Sequence, residues 1–390
     1  MNTNTVRQLL SLVKAALNGT AAEIFDNVDW KQLYALAAFH SITCLIASEV
    51  DKINMTDDVK NKLMQDQILA IYREANQEIM VRKLMDDFEA TGIDHMPLKG
   101  FILKHMYPSI EMRNMCDVDI LIHQDEIDKI TPIMEKSGFS FEKDSPHEFI
   151  FFSGVVTIEL HKSLVPNYNK DLYSYYGDGW RLAKLESGYE HRYELSFEDF
   201  YVYNIVHTAK HYLNGGTGIR QVTDIYVMRK SNRFAEADKE YIGSELQKLG
   251  LDRFAKIITQ LCSVWFENGT YDKNSRMMAE YIINSGAYGT EERAYSSSIY
   301  RASEHRSYRA VKTKSFVKML FPEREGLLNC YPILVDKPQL YPIYVIYRWF
   351  DVLFNRRSNI KKSIENNMVP DETVDAFAKH CEEMGLRKSL

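Results

Sequence analysis

The run Asp117-Val118-Asp119-Ile120-Leu121-Ile122 sets two carboxylates inside sequence that otherwise reads as a β-strand. Strands are depleted in Asp, so acids in such a run need a reason. Alternation puts Asp117, Asp119 and Leu121 on one face and Val118, Ile120 and Ile122 on the other. A second run, Val155 to His161, does the same. Val155, Thr157, Glu159 and His161 share one face, and Val156, Ile158 and Leu160 the other. The bland explanation is a wet face on edge strands; the sharper one is a shared acidic site.

The flanking sequence frames a small α/β unit. Ile93 to Leu98 reads as a short strand, Lys99-Gly100 as a turn into a helix ending at Tyr107-Pro108, and Gln124 to Ser137 as a helix with a kink or restart at Pro132. Phe139 to Lys143, Glu148 to Ser153 and Val155 to His161 read as an antiparallel meander. Before this unit lie a helix over residues 5–18 and another from Asp29 to Leu45. Thr56-Asp57-Asp58 reads as a helix start, and some 35 residues without Pro or Gly follow, patterned through Leu63, Ile68, Tyr72, Ile79, Val81, Leu84 and Phe88 and stopped by Gly92. At 1.5 Å per residue, one helix there is roughly 50 Å long, enough to brace two domains, and the alternative is a stretch broken once. His40 reads as a packed histidine with a hydrogen-bond partner.

After a Tyr- and Lys-rich connector from Asn167 to Tyr193, Ser196-Phe197-Glu198-Asp199 reads as a capped helix start. Helices follow to about residue 285. Four prolines then punctuate the sequence before an aromatic helix over Tyr344 to Phe354, which leads into Arg356-Arg357, and a polar last helix over Asp371 to Leu390. The expected class is α+β, predominantly helical, with a small mixed sheet flanked by N- and C-terminal helical regions. The expected organisation is a helical region over 1–92, an α/β core over 93–165, a helical domain over 166–295 and a basic, Pro-punctuated region over 296–390.

Carboxylates at i and i+2 on a strand lie about 6–7 Å apart at Cα and point the same way. They can share one divalent cation or bridge two, and Glu159 on a neighbouring strand completes the clamp. Phosphoryl transfer needs this kind of charge neutralisation and positioning. Lys99-Gly100 suits a triphosphate, with Gly admitting phosphate to the backbone and Lys adding charge.

Leu-Lys-Gly, Tyr-Pro, Arg-x-x-x-Asp-Val-Asp-Ile-Leu-Ile and Ile-Glu-Leu-His, in this order, resemble the uncharacterised nucleotidyltransferase family of the polymerase-β-like superfamily. Further matches are His207-x-x-Lys210-His211, Ile219-Arg220-Gln221 with Asp224, and Phe321-Pro322, Tyr331-Pro332 and Pro338-x-Leu340-x-Pro342. The resemblance covers roughly Trp30 to Arg357. The superfamily's usual Gly-Ser after the first strand is replaced by Lys99-Gly100. The resemblance implies that Asp117, Asp119 and Glu159 are catalytic metal ligands, with Glu159 favouring deprotonation of the acceptor hydroxyl. It implies Mg²⁺ or Mn²⁺ as cofactor and an NTP, ATP in the first instance, as donor to an acceptor hydroxyl or phosphate. The alternative is a catalytically inactive nucleotide-binding or regulatory protein of the same fold.

Other polar residues carry second readings. Arg113 pairs with Asp119 or contacts phosphate, and His161 either orients Glu159 or simply ends its strand. His207 and His211 share a helix face, as do Arg220 and Asp224. The latter two form an intrahelical ion pair, or all four line the wall opposite the acids. Cys116 reads as core. Net charge is −6, which gives no global reason for nucleic-acid binding. Residues 299–362 do hold 13 Lys and Arg against 5 Asp and Glu, a local excess that could meet RNA. Five scattered Cys without a C-x-x-C pair fit a reducing compartment. With no signal-peptide pattern and no run near the roughly 18 apolar residues of a membrane span, the expected location is cytoplasmic.

Overall fold

The computed structural model describes residues 3–154, 156–303, 307–321, 327, 331, 333–354 and 369–390. The chain divides into two compact units. One holds residues 1–212, 216–289 and 384–390, the other 213–215 and 290–383.

In the first unit, α1 (Thr3–Asn18) ends at Gly19, whose φ of 64° any side chain would strain. Asp29 caps α2 (Trp30–Phe39) by accepting from the Gln32 N–H at 3.0 Å. The single helix expected through Leu45 breaks, because Ser41 turns the backbone to φ 55° before α3 (Thr43–Ala47). His40 is fully buried at this break, as its apolar setting suggests. The Ile219 N–H donates to its Nδ1 at 3.2 Å, which leaves Nε2–H for the Ile283 carbonyl at 3.2 Å. Burial pushes its pKa down to about 4, so it is a neutral pin between three segments.

The long Pro- and Gly-free stretch is one helix, α4 (Asp57–Thr91), closed by left-handed Gly92. Leu63, Val81, Leu84 and Phe88 are buried, but Ile68, Tyr72 and Ile79 of the expected apolar stripe are exposed. The helix outruns its packing partners, and periodicity alone does not say which turns are covered.

The sheet follows. Its strands are β1 (His95–Pro97), β2 (Asp117–Ile122), β3 (Ser140–Asp144), β4 (Glu148–Phe152) and β5 (Thr157–His161). Their spatial order is β1-β2-β5-β4-β3, with β2 and β5 parallel and the other pairs antiparallel. Two helices sit between the strands in sequence. They are α5 (Lys99–Leu103), which continues as a 3₁₀ turn over Lys104–Met106, and α6 (Ile127–Lys136), which runs through Pro132 as one element.

One sheet face is apolar. Val118, Ile120, Ile122, Ile158 and Leu160 bury against Val81, Leu84 and Phe88 of α4 and Ile130 and Met134 of α6. Each such side chain contributes about 1.5–3 kcal/mol of transfer free energy, which fixes the register and turns the acids to the other face. Lys104, fully buried, ties α5 to α4 through Glu74 and through Glu78 at 2.6 Å.

The opposite face is covered by helices. The connector, for which the sequence named no elements, forms α7 (Lys170–Tyr176) and a hairpin of β6 (Ala183–Leu185) and β7 (Tyr193–Leu195). Next come α8 (Phe197–Leu213), α9 (Ile219–Lys230), α10 (Asn232–Glu236), α11 (Lys239–Lys248), α12 (Asp252–Phe266) and α13 (Lys273–Ile283). The start of α8 is built as its sequence suggests, with Ser196 Oγ accepting from the Asp199 N–H at 3.1 Å and donating to its carboxylate at 2.6 Å.

The second unit holds α14 (Glu291–Ala302), α15 (Tyr308–Leu320), α16 (Ile333–Asp336), α17 (Tyr341–Phe354) and α18 (Asp371–Glu383). The last helix stops at Glu383 rather than Leu390 and buries Val374, Phe377 and Cys381. Pro322, Pro332, Arg356 and Arg357 lie outside the described residues, as does much of the basic stretch over 299–362. Among the described residues no helix is long and apolar enough to cross a membrane.

Candidate active site

The acidic face is built by strand register. Parallel pairing of β2 with β5 sets Asp119 beside Glu159, Asp117 beside Thr157 and Leu121 beside His161. Antiparallel pairing brings Glu148, on β4, beside His161. The carboxylates face a cavity of about 310 Å³ whose far wall comes from α8, α9 and the Ala287-Tyr288 turn. Lys99, Gly100, Arg113, Asp117, Asp119, Glu159, His161, His207, His211, Arg220 and Asp224, all singled out in the sequence, line this one cavity.

Asp119 is its electrostatic centre. Its Oδ1 accepts from Lys99 Nζ and from His161 Nε2, each at 2.6 Å. Burial alone would raise its pKa, but the Lys99 ammonium and His161 hold it well below the usual carboxylate range. Burial works against the charge on Lys99, which Asp119 more than offsets, so the ammonium stays on. Lys99 adopts φ 42°, a left-handed conformation that costs a non-Gly residue about 1–2 kcal/mol. It follows Leu98, whose N–H bonds the Asp119 carbonyl at 2.9 Å, so the strained turn swings the ammonium back over that residue.

Asp117 lacks such partners. Burial, with Asp119 and Glu159 nearby, pushes its pKa up to about 6. His161 belongs first to Asp119. Glu159 Oε2 lies 3.5 Å and Glu148 Oε2 3.9 Å from its Nε2, while its Nδ1 meets His147 Nε2 at 3.1 Å. Burial and the neighbouring His161 push His147 down to about 3, and His161 itself is raised despite burial and Lys99, through Asp119. Both imidazole nitrogens of His161 can therefore donate, one to Asp119 and one to neutral His147.

Arg113 and Asp224 find each other across 111 residues. The guanidinium makes a two-pronged contact, Nε to Oδ1 at 2.9 Å and Nη2 to Oδ2 at 3.0 Å, and Tyr107 Oη donates to the same Oδ1 at 2.7 Å. The readings that pair Arg113 with Asp119, and Arg220 with Asp224 inside one helix, are thus corrected. A bidentate guanidinium contact outcompetes an i,i+4 one. Arg220 instead reaches the Asn114 carbonyl at 3.2 Å and lies 5.8 Å from the Tyr288 ring centroid.

Gly100 serves this network. A Cβ there would lie 2.5 Å from both Arg113 Nη1 and Met115 Sδ, so its close neighbours in this structure are side chains. Cys116 is exposed, not core, with Sγ 3.4 Å from Tyr288 Oη. Cys116 precedes the first residue of β2, so the strand's alternation does not hold it to the core face, and it lines the cavity instead.

His207 and His211 stack edge to face at 4.4 Å. Burial lowers both, His211 to about 4, so they offer neutral donors and acceptors to the cavity. Sequence reasoning missed His147, Glu148 and Tyr288 as lining residues. Glu148 carries a signal, an acid opening a strand that pairs with β5; Tyr288 has none.

Ligand atoms of Asp119, Glu159 and His161 lie within 4.8 Å of one another, as do those of His147, Glu148 and His161. With both its nitrogens donating, His161 offers no lone pair in this state, so the atoms that suit a hard divalent ion are the carboxylate oxygens of Asp119 and Glu159. Asp117 stands outside both groups, next to Asp119 along the strand. Carboxylate oxygens are the ligands Mg²⁺ selects, and two cationic groups already sit on Asp119.

The family profile described as "Uncharacterised nucleotidyltransferase" matches residues 26–267. Comparison with curated proteins finds no match. A solved structure of the antibiotic-resistance factor ANT(2'')-Ia is similar with a TM-score of 0.33 and 8% identity, over 44% of this chain and 89% of that one. The profile spans well over half of the 390 residues, including every strand of the acidic sheet and both helices of the facing wall, and the chain belongs to the uncharacterised nucleotidyltransferase family.

Proposed function

We propose that the protein transfers a nucleoside monophosphate from an NTP, ATP in the first instance, to an acceptor hydroxyl or phosphate. The observation that carries this reading is the side-by-side placement of Asp119 and Glu159 on parallel strands, with Asp117 one pleat away, on the floor of a polar cavity. Mg²⁺ or Mn²⁺ bound to these carboxylates would neutralise the triphosphate and activate the acceptor oxygen.

The chain's own groups complete the chemistry. Lys99 is charged and set to release Asp119 and take a phosphate oxygen as the substrate arrives. His161 donates to Asp119 and holds its carboxylate in orientation. Glu159, 3.5 Å from His161, is the group placed to accept the acceptor's proton. Asp117, ionised above its raised pKa of about 6, joins them. The Arg113–Asp224–Tyr107 cluster fixes the Lys99-Gly100 turn, so Arg113 acts on phosphate through that turn or by exchanging Asp224 for it. His207, His211 and Arg220 face the acids and would hold the nucleotide or acceptor.

One observation favours a second reading, a nucleotide-binding protein without turnover: Lys99 and His161 together occupy the Asp119 oxygen. Incubating the protein with each α-labelled NTP, Mg²⁺ and a metabolite and protein panel separates the two. Labelled product lost in Asp119→Asn supports transfer. Calorimetric NTP binding with no product from any acceptor supports the second reading, and neither binding nor product refutes both.

A further inference from the structure

His147 and Glu148 line the cavity without a part in the proposed transfer, and both sit beside His161 at the edge of the acidic face. Antiparallel pairing of β4 with β5 sets Glu148 directly opposite His161. One ligand atom from each of the three residues lies within 4.8 Å of the other two. The His161 side chain is 2% exposed and that of Glu148 21%, so the group is shielded from bulk water yet open to the cavity.

Hydrogen bonding decides which nitrogen of His161 is on offer. Its Nε2 meets Asp119 Oδ1 at 2.6 Å. An ionised carboxylate only accepts, so Nε2 keeps its proton and is no ligand for an ion held by Asp119 and Glu159. Nδ1 points the other way, at His147 Nε2, 3.1 Å off. Two imidazole nitrogens this close hold one proton between them. The same separation is near the roughly 3.3 Å between two nitrogens bound at about 2.0–2.1 Å to one tetrahedral ion. His147 Nδ1 has no hydrogen-bond partner among the described residues, so nothing there fixes its tautomer, and Nε2 is free to give a lone pair. Asp119 then stands behind His161 as the carboxylate of a carboxylate–histidine–metal triad, which orients the imidazole and raises its basicity.

We infer that His147, Glu148 and His161 bind a transition-metal dication of the zinc type, at a site separate from the carboxylates that suit Mg²⁺. Donor chemistry selects the ion. Two imidazoles with one carboxylate suit zinc and its neighbours, whereas Mg²⁺ takes oxygen ligands. The ion replaces the proton between the two rings and ties β4 to β5 beside Asp119. Three protein ligands leave a fourth position to a water or a substrate oxygen in the cavity.

The test is calorimetric titration of Zn²⁺ into the full-length protein, stripped with EDTA and returned to saturating Mg²⁺ so that oxygen sites are filled. No nucleotide is present, so the outcome is independent of whether the protein transfers one. One Zn²⁺ per chain is expected, and Co²⁺ in its place gives the visible absorption of nitrogen ligation at low coordination number. His147→Ala and Glu148→Gln each weaken Zn²⁺ by more than about tenfold, since losing an outer-shell partner alone costs about 10–100-fold. His211→Ala leaves it unchanged, which separates the site from the i, i+4 imidazole pair on α8. Circular dichroism reports folding in each variant, and if His147→Ala unfolds, the near-isosteric Glu148→Gln decides. Zn²⁺ binding that is absent from the wild type, unchanged by Glu148→Gln, or lost in His211→Ala overturns the inference.

Discussion

Replacing Asp117 with Asn separates the cost of assembling the acidic site from its use. In the folded protein the Asp117 carboxyl is raised from 3.8 to about 6 by burial and by Asp119 and Glu159. The fold thus binds this proton more tightly than the unfolded chain does. Between about pH 4 and pH 6 the unfolded carboxyl is ionised while the folded one is not, so stability falls as pH rises through that window. Above it the full cost remains. Two pH units at about 1.4 kcal/mol each amount to about 3 kcal/mol. Asn imitates the protonated acid at every pH. In EDTA at pH 7.5, Asp117→Asn is therefore expected to be more stable than wild type by about 3 kcal/mol, or about 4 °C in melting temperature for a chain of 390 residues. Near pH 4 the two should coincide. Mg²⁺ should narrow the gap at pH 7.5 by stabilising wild type more than the variant. Differential scanning fluorimetry across pH measures all three. No gain at pH 7.5, or an equal gain at pH 4, would refute the crowding of three carboxylates on one face.

The partner groups have their own signatures. Lys99→Met strips Asp119 of its ammonium. It should destabilise by about 3–5 kcal/mol and cut product formation about 10²-fold, read by denaturation and a labelled-NTP assay. Gly100→Ala drives a methyl into Arg113 and Met115 and should cost about 1–3 kcal/mol, visible as a lower melting temperature. Arg113→Met and Asp224→Leu should each cost about 3–5 kcal/mol by stranding a buried charge, and together clearly less than the sum. A double-mutant cycle in urea measures the difference, and strict additivity would break the pairing.

Much of the sheet is visible in the sequence because a buried face imposes period two. Val118, Ile120 and Ile122, then Ile158 and Leu160, mark the covered side and leave Asp117, Asp119 and Glu159 on the other. The neighbour of each strand is a long-range choice, so the pairing of Asp119 with Glu159 has no local signal. Nor does the Arg113–Asp224 contact, for which i,i+4 spacing supplied a false partner in Arg220. A helical period says that one side of α4 is apolar but not where its cover ends, hence the exposed Ile68, Tyr72 and Ile79. The turn at Ser41 has no Gly or Pro to announce it, and Tyr288 reaches the cavity only through the fold of α9 and α13.

Release of pyrophosphate from an NTP, with the α-phosphate label recovered on an acceptor, tests the central claim most directly. The wild-type protein with Mg²⁺ should yield both, and EDTA, Asp119→Asn and Glu159→Gln should each abolish them while the variants remain folded. Equal product from wild type and Asp119→Asn would contradict a catalytic role for the acidic face.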